Sequence, residues 1–356
     1  MPPASNVATL PARPARPTLE IGGERRPRLE SALLAMELAD SVDGMARAEL
    51  AFGNWGGAQG SGFQHFDRSV LEFGKPLVVK LGEDVAFEGR ISAIGAEYPD
   101  GGPPKISVLA EDRLQDLRMT RRTRVFENAG LADVARRVAN DHGLTAEINF
   151  SGPTSKVVAQ VNQSDLALLV DLACREDAQV WVEGKKLKVA KARATDKVEL
   201  RWAGTLREFR VEADLAGQRS AVAATGWDVA GKAALAHKAE EGAISSEVGS
   251  LEGGAAILRQ ALSARTDTIA HAVPRDAQEA KAIAEAAFRQ QARRFVSGHG
   301  VAESSAALRV GATLALTGLG PLFDGDYRAT AVVHLFDNRD GQRSEFRCER
   351  PGLGRP

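Results

Sequence analysis

The stretch Ile106–Leu144, ISVLAEDRLQDLRMTRRTRVFENAGLADVARRVANDHGL, changes its hydrophobic period part-way, and that change decides the fold. Ile106, Val108 and Ala110 recur every second residue, the spacing of a strand with one face inward. Leu131, Val134, Ala135 and Val138 recur at three and four, the spacing of one helical face. Asn128 is placed to cap that helix. His142-Gly143 is placed to end it, with glycine in the left-handed position after the last turn. Between the two periods Arg118, Arg121, Arg122 and Arg124 fall within seven residues. A β unit therefore ends here and an α+β unit begins.

Toward the N-terminus the period of two continues. Leu34/Met36/Leu38, Ala48/Leu50/Phe52, Leu77/Val79/Leu81 and Val85/Phe87/Gly89/Ile91 are separated by the turn signals Asp43-Gly44, Gly82-Glu83-Asp84 and Pro99–Gly102. Short strands at this spacing predict a small barrel or sandwich. Before Thr18 the chain is rich in Pro, Ala and Arg, which predicts a flexible arm. Toward the C-terminus a second helix starts at Ser164 with Leu166, Leu169, Val170 and Ala173 on one face. A hairpin follows, Gln179–Glu183 and Leu187–Ala190. Period two returns at Phe209/Val211/Ala213 and over Ala221–Trp227. After an Ala/Gly/Glu-rich stretch, Asp276 and Glu279 form a capping box for a helix with Ala280, Ala284, Phe288, Ala292 and Phe295 in one stripe. Ser297-Gly298 is placed to close it. The last strands carry Leu314/Leu316, Ala329/Ala331/Val333/Leu335 and Phe346/Cys348.

These readings predict a mixed, mainly β (α+β) fold with two similar small β-barrels and α+β and helical insertions. The expected division is an arm at 1–17, a first barrel at 18–117 and an α+β domain at 118–200. A second barrel is built from 201–230 and 305–350, with a helical or irregular insertion at 231–304 and a tail at 351–356.

Composition narrows the function. With 46 Lys+Arg against 47 Asp+Glu the net charge is −1, which argues against a coat for nucleic acid or anionic lipid. Aromatic residues are 5% of the chain, few for a stacking platform. The two cysteines, Cys174 and Cys348, are too few for a disulfide framework and lack CxxC spacing. No apolar run approaches the ~18 residues of a membrane span, and the N-terminus lacks the apolar core of a secretory signal. The expectation is a chain made in the cytoplasm.

No catalytic, cofactor or metal constellation stands out. The six histidines have no HxxxH or HExxH spacing. GxSxG and Walker A patterns are absent, and Gly53-Asn54-Trp55-Gly56-Gly57 reads as a loop. Glu111 and Asp112 are adjacent, so they point to opposite sides of a strand. Cys174 reads as a buried small hydrophobe, and His334 as solvated or at an interface. The arginine run reads as a solvated connection or, more sharply, as a contact surface for a partner chain or a channel rim.

The order of these segments resembles the phage late control protein D family, the baseplate hubs of contractile tails, which also form the N-terminal part of VgrG spikes. Four stretches carry the resemblance. They are Ile106–Leu144; Gln160–Val189, with Gln-x-Asn, Ser-Asp, a helix and a hairpin; Ala224-Thr225-Gly226-Trp227-Asp228; and Asp276–Leu353. Residues 231–268 and the arm match nothing in that family.

The resemblance implies a hub without catalysis. Its implied form is a homotrimeric ring whose two barrels per chain give pseudo-sixfold order around a channel, joining a sixfold tail-tube protein to a threefold spike. The chain ends where that hub ends, so a separate spike protein is expected, beside other baseplate components in a phage tail or tail-like particle. Arg118, Arg121, Arg122, Arg124, Phe346 and Cys348 are the candidate interface residues. A second reading is a peptidoglycan-binding or cell-wall-acting tail protein, because Arg124–Leu144 is faintly similar to a LysM unit. A third is a transported effector, which the lack of a catalytic constellation disfavours.

Overall fold

A computed structural model describes residues 16–42, 44–56, 62–65, 68–193, 195–229, 231–269 and 272–355. Nearly all of the predicted arm, and Gly57 of the glycine-rich loop, lie outside the described residues.

The β residues form one connected sheet of 13 strands serving two separate cores. The first core is covered by an antiparallel run in the order Leu33–Ser41, Arg47–Gly53, Lys105–Glu111, Asp84–Glu97, Pro76–Leu81, Thr18–Ile21. Leu50 pairs with Val108 and Leu38 with Ala48, and all four are buried. The predicted alternation holds except where the register slips. A shift between Leu33 and Ala35 turns Leu33 inward in place of Leu34. Val85 is exposed near its turn.

The second core is covered by Leu206–Ala213, Val296–Glu303, Gly341–Arg350 and Gly325–Asp337, with Thr313–Thr317 and Lys197–Arg201 branching from the last of these. The Gly325–Asp337 strand explains the junction. Its first part pairs with Thr313–Thr317, and a register shift between Ala329 and Ala331 bends it. Its second part then pairs with Leu33–Ser41. The edge that would close either unit is used to join them. Among the described residues neither unit closes into a barrel, which corrects the expectation of two separate ones. The mixed, mainly β class stands.

Two boundaries also differ from expectation. Ala221–Asp228 leaves the large sheet and pairs with Ala233–Ala239 and Thr266–Ile269 in a sheet of its own. Val296–Glu303 joins the large sheet, so Ser297-Gly298 is strand; the helix before it spans Ala277–Arg293 and ends at Arg294. The reason lies in packing. Gly298 and Gly300 leave room for the rings of Phe209 and Phe346, where a Cβ would come within 2.5 Å of either ring. The stripe Ala280, Ala284, Phe288, Ala292 and Phe295 is buried throughout, at most 5% exposed. Ala284, Phe288 and Ala292 cover the small sheet through Val222 and Ala224, while Phe295, past the helix end, packs in the second core. Asp276 caps the helix by accepting from Glu279 N, while Glu279 reaches back to Arg275 N.

The α+β unit has its own core. A ribbon of Arg121–Ala129 and Ser155–Ser164 leads into helices Leu131–Asp141 and Asp165–Arg175, and a three-stranded sheet closes it. Asn128 is the penultimate residue of its strand, so Gly130, not Asn128, precedes the first helix. Ser164 does cap the second, accepting from Ala167 N at 3.2 Å. Its buried face carries Leu168, Leu169 and Ala173, while Val170 is exposed.

Candidate functional site

The four arginines of the run divide by partner. Arg118 is half-exposed and pairs with Glu111 at 2.9 Å. Arg121 donates to Asn162 O at 3.1 Å from the exposed surface. Arg124 turns inward. Its guanidinium donates to Gln160 Oε1 at 2.7 Å, Asp141 Oδ2 at 2.5 Å and Asp165 Oδ1 at 2.7 Å, and stacks over Phe126. Arg122 Nε stands 3.2 Å from Asp165 Oδ2. The run is thus anchored to its own domain through Asp165, whose side chain is 1% exposed.

Asp165 also accepts from Gln160 Nε2 at 2.8 Å and meets His142 Nε2 at 2.8 Å. Burial opposes its ionisation, but the hydrogen bonds from Gln160 and His142 and the charges of Arg124 and Arg122 outweigh it and hold the carboxyl below its usual range. The stability this confers is complete above the unfolded carboxyl's pKa of about 3.9 and is lost as pH falls through the lower folded value.

Phe346 and Cys348 are 1% and 2% exposed and belong to the second core. Phe346 stacks on Phe209, and burial pushes the Cys348 thiol up to about 12. On this strand the side chain on the outer face is Arg347, between them. Cys174 reverses expectation the other way. It is exposed, its Sγ 3.8 Å from Gln290 Oε1.

Where the two β units meet the α+β unit lies a cavity of about 300 Å³, lined in part by Asp40, Asp112, Trp181, Arg193 and His334. Arg193 bridges to Asp40 at 2.7 Å and lies over the Trp181 ring. Asp112 accepts from Ala46 N and Leu114 N, starting the short helix that follows, and burial raises its carboxyl to about 6. His334 is buried, contrary to its expected exposure, with Nδ1 2.7 Å from Ser344 Oγ. Burial lowers it to about 4, so it is neutral in the folded chain. Its contribution to stability is present above pH 6.5 and fades as pH falls toward 4. Asp112 is engaged by backbone N–H groups and Asp40 by Arg193, an arrangement that joins the units.

A second charged joint is not visible in the sequence. Asp177 receives Arg289 Nε at 2.8 Å and Arg293 Nη1 at 2.6 Å, and Arg293 also binds Glu247 at 2.7 Å. It ties the α+β unit to the long helix. The i, i+4 spacing of Arg289 and Arg293 was the only local hint. Among the described residues no group of three or more His, Cys, Asp or Glu side chains is placed to hold a metal ion, and no helix is long and apolar enough to cross a membrane.

Glu176 yields a pH prediction. Its Oε2 is buried without a hydrogen-bond partner; burial, and then Glu279, raise the carboxyl to about 7. The folded value lies above the ordinary 4.5, so stability is lost as pH rises from about 4.5 to about 7. Glu176→Gln is expected to raise the melting temperature at pH 8 and leave it unchanged at pH 4. Equal effects at both pH values in differential scanning calorimetry would contradict this.

This sheet with its two cores and side units is the fold of phage tail proteins and of type VI secretion components related to them. The chain is similar to the 43 kDa tail protein of prophage MuSo2 from Shewanella oneidensis, at 15% identity and TM-score 0.70, covering 94% of this chain and 98% of that one. It is similar to the tail protein from Neisseria meningitidis MC58 at 12% identity and TM-score 0.66, covering 95% and 97%. It is also similar to the Escherichia coli c3393 protein, a type VI secretion component described as structurally similar to the T4 tail proteins gp27 and gp5. That match has 12% identity and TM-score 0.58, and covers 95% of this chain and 79% of that one. No curated protein matches the chain significantly. Residues 16–338 match the family model described as the Alg8 N-terminal domain, and the chain belongs to that family.

Proposed function

We propose that this chain is the structural hub of a contractile-tail or injection-system baseplate, of the late control protein D kind. Three copies ring a central channel, with a separate threefold spike protein on one side and the sixfold tail-tube protein on the other. The observation that carries this reading is the end-to-end likeness to tail proteins, with nearly all of both chains superposed. The two-core sheet supports it physically. Each chain offers two β units, so three chains present six. Among the described residues Leu206–Ala213 lies at one end of the ladder and pairs as a strand with Val296–Glu303 on one side only, and a closed ring satisfies such edges by symmetry. No catalytic step enters this role; the chain binds and positions its neighbours in the particle.

The experiment is light scattering on the full chain, alone and mixed with candidate tail-tube and spike proteins. The reading expects a complex with three copies of this chain per spike trimer. A single copy per complex, or failure to bind either neighbour, would overturn it. Firm, saturable sedimentation with purified peptidoglycan would instead favour the cell-wall reading.

A further inference from the structure

Between the α+β unit, the end of the long helix and the second β unit lies a cavity of about 200 Å³. Its charged lining is Lys191, Arg293, Arg294 and Arg328 against Asp177 and Glu349. Asp177 is already saturated by Arg289 and Arg293. Arg328 is different. Its Nε and Nη2 are buried and neither has a hydrogen-bond partner. Those two atoms form the side-on edge of a guanidinium, the edge that binds carboxylate or phosphate bidentately. A buried guanidinium left unpaired is costly, and arginine does not escape by losing its proton.

Glu349 stands opposite Arg328 in the antiparallel register and attracts it through space, yet among the described residues no salt bridge or hydrogen bond joins the two. Burial pushes the Glu349 carboxyl up, against the charges of Arg328, Arg293 and Arg294. The cavity also adjoins a cationic approach. Arg294 and Glu349 line both it and an outer cleft, where Arg210, His299 and Arg347 sit side by side across three strands.

We propose that this cavity is an oxyanion site in which Arg328 offers its Nε–Nη2 edge to a compact carboxylate or phosphate group, with Lys191 and Arg294 as auxiliary cations. The oxyanion is either a free ion or an acidic side chain of a neighbouring chain.

The test is thermal melting of the purified full chain in two arms. One adds sodium phosphate against sodium chloride at equal ionic strength. The other adds acetyl-Gly-Glu-Gly-amide against acetyl-Gly-Gln-Gly-amide. In the wild type at least one arm should raise the melting temperature by about 2 °C once the anion exceeds its Kd tenfold. A response to phosphate alone identifies a free ion, and a response to the glutamate peptide identifies an acidic segment. Arg328→Met should abolish the rise and, in chloride alone, melt no lower than wild type, because it removes an unpaired buried charge. Arg328→Lys keeps the charge, loses the bidentate edge and should lose most of the rise. No rise in either arm, or an equal rise in Arg328→Met, overturns the proposal. A lower melting temperature of Arg328→Met in chloride also overturns it, since Arg328 would then already be paired with Glu349.

Discussion

Phe288→Asp is expected to destabilise the chain by about 4–5 kcal/mol or more, the range for placing an unpaired charge where a core ring stood. Phe288 is 1% exposed and packs with Val222, Ala224, Ala284 and Ala292 in the core between the Ala277–Arg293 helix and its three-stranded sheet. The ring's loss alone costs about 3–5 kcal/mol on the scale of Phe→Ala substitutions. Phe288→Leu, which keeps an apolar filling, should cost far less. Chemical denaturation followed by far-UV circular dichroism checks this, and an unchanged midpoint for Phe288→Asp would contradict the packing described.

Asp165→Ala is expected to cost about 3–5 kcal/mol, because removing one member of a buried ionic group strands the others. Arg124, Gln160 and His142 would each lose a partner within 2.8 Å, and Arg122 a charge at 3.2 Å. Asp165→Asn keeps the shape and loses the charge, so its effect should be smaller but still clear. Arg118→Ala breaks a half-exposed pair and should change stability by about 0–1 kcal/mol. Combining Asp165→Ala with Arg124→Met should recover part of the loss, because the double variant no longer buries an orphaned guanidinium. Equal losses for Asp165→Ala and Arg118→Ala would contradict the assignment of Asp165 as the anchor of the arginine run.

Much of the fold was legible because it is written in short-range periodicity. The alternation of Ala48, Leu50 and Phe52 and the stripe from Ala280 to Phe295 each specify a face without reference to anything distant. What the sequence concealed are long-range pairings and register shifts. Ala331 meets Ser41 across nearly the whole chain, and nothing local in either strand announces it. That pairing is why two β patterns make one sheet and not two closed barrels. The strand Val296–Glu303 was hidden by its glycines, which read as a helix stop but make room for aromatic rings.

The candidate site was legible by half. The arginine run is conspicuous, but its meaning depends on Asp141 and Asp165, which approach it only in three dimensions. Phe346 and Cys348 read as the inward residues of their strand with Arg347 outward, and so they are; that burial takes the two off the surface and leaves Arg347 as the exposed residue between them. Arg328 was not singled out at all. One arginine in a strand carries no signal until its surroundings show that its binding edge is buried and unpaired.

The most direct test of the hub assignment is cryo-electron microscopy of the assembled particle at the junction of tube and spike. The account predicts three copies of this chain around the axis, each contributing two β units to a ring of six that faces the tube, with the spike seated on the opposite side. Density for a single copy, for six copies, or for a chain lying outside the tube–spike junction would contradict it.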